Sequence, residues 1–134
     1  MRRRIPIGYL IDTWTWIEYW RGNLATREYI EGDETIYTSI ITLTEVTRYC
    51  IRELDIKAIL PRLADIRARS KILTIDEAIA EQAGRYIKQE VPGLADAIIL
   101  ATARNNDLKI VTGDHHFKPL PDAIVIEPTA QSFF

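Results

Sequence analysis

Asp12, Glu45, Asp96 and Asp114 are the side chains of this sequence whose type and placement suggest chemistry. Each stands where a predicted strand hands over to a helix or where a helix begins, and in an open parallel sheet those places converge on one edge. Carboxylates crowded together repel and raise one another's pKa values, so four on one edge imply divalent cations among them. All-oxygen ligation, with water completing the shell, suits Mg2+ or Mn2+. Taken singly, each acid has a plainer role. Asp12 would cap the first helix, Glu45 would complete a capping box with Thr42, Asp96 would favour a helix dipole, and Asp114 would serve a turn after Gly113. It is their joint placement that points to a metal site. Asp76 is the control: it also follows a strand, but one expected at the far edge of the sheet, and it is assigned to capping alone.

The elements that must position these acids alternate along the chain. Ile7 to Ile11 is a short apolar run ending at Asp12, as a buried central strand does. The spacing of Trp16, Ile17 and Trp20 predicts a helix from Thr13, and a second short helix over Ala25 to Glu31 follows the break at Gly22 and Asn23. Thr35 to Ile41, rich in β-branched residues, is the second predicted strand, and the capping-box pattern Thr42 to Glu45 opens a helix through Leu54. Helices over Ile56 to Ser70, Glu77 to Gln89 and Leu94 to Asn105 then alternate with strands at Lys71 to Thr74, Leu108 to Thr112 and Ala123 to Ile126. Pro61 belongs near the start of its helix or at a kink in it. Connections too long for hairpins make the sheet parallel with helices on both faces, an α/β fold in a single domain over residues 1–134. If the first and fourth strands are neighbours, the four acids face one crevice.

Composition agrees with one soluble globular domain: 134 residues, 47% hydrophobic and 27% charged, exclude a disordered or fibrous chain. The longest uncharged stretches, Thr35 to Thr44 and Ala97 to Ala103, fall far short of the roughly 20 apolar residues of a membrane span. Met1-Arg2-Arg3-Arg4, followed by an apolar run that is interrupted at Asp12, reads as a basic arm on a cytoplasmic protein rather than a secretion signal. The single Cys50 allows no internal disulfide and is expected in the core, and no Cys/His zinc cluster is present.

Four blocks carry a family resemblance over nearly the whole chain: Tyr9 to Thr13, Thr38 to Val46, Leu94 to Ala103 and Ile110 to Phe117. In this order and spacing they resemble the PIN-domain ribonucleases, in particular the small VapC-like toxins of type II toxin–antitoxin systems. The resemblance implies a five-stranded sheet in the order three, two, one, four, five. It also implies Mg2+- or Mn2+-dependent endonucleolytic cleavage of RNA, restraint by a cognate antitoxin, and a homodimer. Within it, Asp12 and Asp96 take the central metal-ligand roles, Glu45 and Asp114 complete or bridge the site, and Thr13 and Thr112 place hydroxyls beside it. Trp14 departs from the pattern, since relatives more often carry Ser or Asn there.

A net charge of -2 and a pI of about 5.7 do not advertise a nucleic-acid binder, although bound divalent cations would reverse the sign. Arg48 and Arg52 share a helical face with Glu45 and are candidates to hold RNA phosphates, the plainer alternative being an ion pair from Glu45 to Arg48. Arg104 and Lys109 are weaker candidates, since a helix dipole explains a cation there. His115 and His116 read as solvated loop residues outside the catalytic set. Trp16 and Trp20 are expected in the core, leaving Trp14 and Tyr19 for an interface. Other functions compatible with the pattern are a stand-alone RNA-processing nuclease and a catalytically weak RNA-binding or assembly module. A phospho-acceptor receiver domain is disfavoured because it expects an acidic pair after the first strand and a lysine leaving the last.

Overall fold

Strand β1 (Tyr9–Ile11) is the middle of a five-stranded parallel sheet in a computed structural model that describes residue 6 and residues 8–127. The basic arm Met1 to Arg4 and the start of the first predicted strand at Ile7 lie outside the described residues. β1 pairs with β2 (Ile36–Ser39) on one side and β4 (Lys109–Thr112) on the other, and β3 (Lys71–Leu73) and β5 (Ala123–Val125) form the edges. The resulting order, β3-β2-β1-β4-β5, makes the first and fourth strands neighbours, the condition for a shared crevice.

Adjacent residues of β1 and β4 point to opposite faces, and both faces are buried. Leu10 pairs with Ile110 and enters a core shared with α5 (Glu77–Tyr86) and α6 (Leu94–Asn105). Ile11 pairs with Val111 and enters the opposite core, built from α1 (Thr13–Trp20), α2 (Leu24–Ile30), α3 (Ile40–Glu53) and α4 (Ile59–Arg69). Cys50 is fully buried in that second core, as its neighbours imply. Among the described residues, no helix is long and apolar enough to cross a membrane.

Three boundaries differ from the sequence expectation by more than a single residue, each for a local reason. β2 stops at Ser39 because the Ser39 side chain accepts a hydrogen bond from the Ile41 amide and caps α3 three residues before Thr42. The capping box of Thr42 and Glu45 is therefore not formed at a helix start, and Glu45 sits in the second turn. The helix expected from Ile56 is split into a 3-10 turn, Ile56–Ala58, and α4, with Pro61 in the first turn of α4, where its missing N–H is not needed. α5 ends at Tyr86 rather than Gln89: Ile87 turns extended, bridges Val91, and Lys88 takes a φ of 71°. Trp16 is buried and donates through Nε1 to Thr38, whereas Trp20 is only half-buried, stacked on Trp16 and bonded to Asp65. Asp76 caps α5 beside the edge strand β3, accepting from the Ile79 amide at 2.9 Å.

Candidate active site

Asp12 leaves β1 and begins α1 in the same step. Its Oδ1 accepts the Thr15 amide at 3.0 Å, closing the first turn, and lies 3.0 Å from the Thr15 hydroxyl, which also reaches Val111 O at 2.8 Å. Its Oδ2 accepts the Thr112 hydroxyl from the neighbouring strand end, and Thr112 Oγ1 in turn accepts the Asp114 amide at 2.9 Å. Thr112 therefore links the first acid to the loop bearing the fourth. These bonds leave Oδ2 a lone pair for a cation. Asp12 is only 7% exposed. Burial pushes its carboxyl up to about 6, assisted by the nearby charge of Asp114 and opposed by the bonds from Thr112 and Thr15.

Asp114 caps a 3-10 turn, His115–Phe117, by accepting the His116 amide at 2.9 Å, and Phe117 anchors that turn in the core. Across from it, Asp96 stands in the first turn of α6. Burial and then the charge of Asp114 raise the Asp96 pKa, with His116 pulling the other way. His116 Nδ1 lies 3.1 Å from Asp114 Oδ1 and 3.4 Å from Asp96 Oδ2. Asp96, Asp114 and His116 thus each offer a ligand atom, all within 4.8 Å of one another, which is a donor set fit for a divalent cation. His116 has the exposure that its loop position predicts, and the turn capped by Asp114 nevertheless brings its Nδ1 beside the acids.

Glu45 reaches the site from α3, where its Oε1 accepts the Thr13 hydroxyl at 2.6 Å. The ion pair to Arg48 that helical spacing allows is not formed. Asp12, Glu45, Asp96 and Asp114 line one crevice of about 310 Å³, walled also by Trp14 and Phe117. Asp12 and Glu45 stand outside the tight group of Asp96, Asp114 and His116 but face the same space. Trp14 is seated over Gly113, where a Cβ would come within 2.3 Å of its ring, so the departure at Trp14 is accommodated by the glycine before Asp114. A second hollow of about 310 Å³ shares Thr13 and Glu45 with the crevice and is lined further by Arg48, Tyr49, Arg52 and Glu53. Arg104 is occupied elsewhere, bound to Glu90 and Asp122.

The PIN domain family profile matches residues 9–122. A search of curated proteins finds no match. Among solved structures, a toxin–antitoxin complex from Klebsiella pneumoniae contains a chain 26% identical to this one, with a TM-score of 0.74, covering 88% of this chain and 97% of that one. FitAcB from Neisseria gonorrhoeae is 24% identical, with a TM-score of 0.68 and coverage of 89% and 96%. VapC20 from Mycobacterium tuberculosis, described as a sarcin–ricin loop cleaving toxin, is 18% identical, with a TM-score of 0.70 and coverage of 85% and 95%. The matched span takes in all four acids and every strand but β5, and the chain belongs to the PIN domain family.

Proposed function

We propose that this protein is a metal-dependent endoribonuclease, the toxin of a toxin–antitoxin pair, which hydrolyses RNA phosphodiester bonds and is neutralised by a cognate antitoxin. The observation that carries the reading is that four acids from four separate segments line one crevice in a chain of the PIN domain family. The similar structure from Klebsiella pneumoniae is a toxin–antitoxin complex, which supports the antitoxin partner. A homodimer belongs to the same reading.

Asp12, Glu45, Asp96 and Asp114 would hold Mg2+ or Mn2+, with His116 beside them. The bound cation supplies Lewis-acid neutralisation of the phosphate charge and activation of the attacking water. The chain's own residues fix its ligands: Thr112 holds Asp12, Thr13 holds Glu45, and the Asp114 turn is pinned by Phe117. No histidine base is required. Arg48 and Arg52, next to Glu45 in the adjoining hollow, would contact RNA phosphates.

Cleavage of a mixed structured RNA pool with Mn2+, Mg2+ or EDTA, run beside folded Asp96→Asn, tests this. Metal-dependent cuts that vanish in the variant are expected. Metal binding without cutting would indicate that the pool lacks the substrate, and a folded wild type that binds no divalent cation would sink the site.

A further inference from the structure

The arginines among the described residues divide into two groups. Arg21, Arg27, Arg69, Arg85 and Arg104 each pair with a carboxylate, and Arg62 lies over the Trp20 ring. Arg48, Arg52 and Arg67 are exposed and have no ion pair or ring contact among the described residues. An unpaired surface arginine is ordinary by itself. Arg48 and Arg52, however, stand four residues apart on one face of α3 and line the same hollow, which opens beside Glu45 and shares Thr13 with the acidic crevice. The nearest acid along the helix, Glu45, is bonded to Thr13 instead, so neither guanidinium is neutralised. Half-buried Tyr49, one residue on from Arg48, lines the same hollow, as does Glu53, which pairs with neither arginine among the described residues.

From these observations we infer that the Arg48–Tyr49–Arg52 hollow is a substrate subsite. The two arginines clamp the two phosphates next to the scissile one, and the Tyr49 ring receives the intervening base. The helical rise carries the spacing: Arg48 lies about 4.5 Å and Arg52 about 10.5 Å beyond Glu45 along the α3 axis, steps comparable with single nucleotides of an extended strand. Guanidinium forks suit phosphate oxygens, and a base stacks on an aromatic ring whatever its identity, so the subsite holds and registers the strand without reading its sequence. It also pulls a polyanion toward a crevice whose acids would otherwise repel it.

The inference rests on the nuclease reading, and the test separates the two. Binding of a short fluorescein-labelled RNA of mixed sequence is measured by anisotropy against salt, in the non-cutting Asp96→Asn background, with Arg48→Ala, Arg52→Ala, Tyr49→Leu and Arg67→Ala added singly. Arg67, also exposed and also without an ion pair among the described residues but on α4, controls for loss of charge alone. Each clamp variant is expected to lower the slope of log K against log salt by about 0.7, the value for one single-strand phosphate contact. Tyr49→Leu is expected to weaken binding by about 5–150-fold with the slope unchanged. Arg67→Ala is expected to change neither. Clamp variants indistinguishable from Arg67→Ala, while Mn2+-dependent cleavage by the wild type persists, overturn the subsite and leave the nuclease reading intact. Failure of every form to bind RNA, with a wild type that does not cut, overturns both.

Discussion

Asp12 does two jobs that conflict. As a helix cap it is satisfied by Thr15, but it is desolvated, and its carboxyl is held at about 6 instead of 3.8. A raised acid contributes its stability in the neutral form, fully below pH 3.8 and lost as pH rises through about 6. Charging it in the metal-free protein then costs roughly 3 kcal/mol. Asn keeps the cap acceptor without the charge. Metal-free Asp12→Asn should therefore melt above the wild type at pH 8, with the gap roughly halved near pH 5 and closed only below pH 3.8, as read by circular dichroism. A variant that melts lower by the same margin at both pH values would contradict this account. Protons and cations compete for the same oxygens, so Mn2+ affinity of the wild type should strengthen as pH rises through about 6. All four acids were legible as residues, whereas His116 was not, because nothing in its neighbours states that the turn after Asp114 folds back over Asp96.

At the scale of elements, the site depends on close approaches between chain segments distant in sequence. Gly113 leaves β4 directly beneath the Trp14 indole of α1. Gly113→Ala would force that ring aside, with an expected loss of about 1–3 kcal/mol by thermal or denaturant unfolding. Trp14→Ser, which empties the space, should recover much of the loss in the double variant, and a purely additive double variant would show that the two do not share the defect. The α3 boundary teaches a related lesson. Ile40 and Ile41 read as strand by composition, yet they are helical, because Ser39 caps the turn and strand propensity is weak against a formed cap. Thr42 and Ser39 are both competent hydroxyls in sequence, and only the packed chain selects between them.

For the whole molecule, the acids belong to the cap of α1, to α3, to α6 and to the turn after β4, so a cation among them adds a tie between segments that already meet through the sheet, its two cores and the Thr13–Glu45 and Thr112–Asp12 bonds. Ligand binding to the folded state alone stabilises it by mass action, about 2.7 kcal/mol at a hundredfold excess over Kd. Mn2+ should accordingly raise the melting temperature of the wild type by several degrees and leave Asp96→Asn nearly unmoved. Equal shifts in both would place the cation elsewhere. The Arg104 cluster with Glu90 and Asp122, at the opposite end of α6 from Asp96, offers the contrast. Arg104→Ala should cost about 1–3 kcal/mol of stability while leaving RNA cleavage per folded molecule unchanged.

The sequence alone determined the alternation of strands and helices, Asp12, Asp96 and Asp114 at its junctions and the burial of Cys50, because these follow from local periodicity and capping chemistry, whereas Glu45 proved to lie in the second turn of α3. It could also separate Asp76 from the others, since the strand order that the family resemblance implies puts β3 at the edge, as observed. What only the tertiary structure decided are the contacts between segments: Thr112 on Asp12, Thr13 on Glu45 in place of Arg48, His116 over Asp96, Trp14 against Gly113. Each joins residues whose relation is fixed by strand register and helix packing, and neither of those is a property of neighbouring residues in the chain.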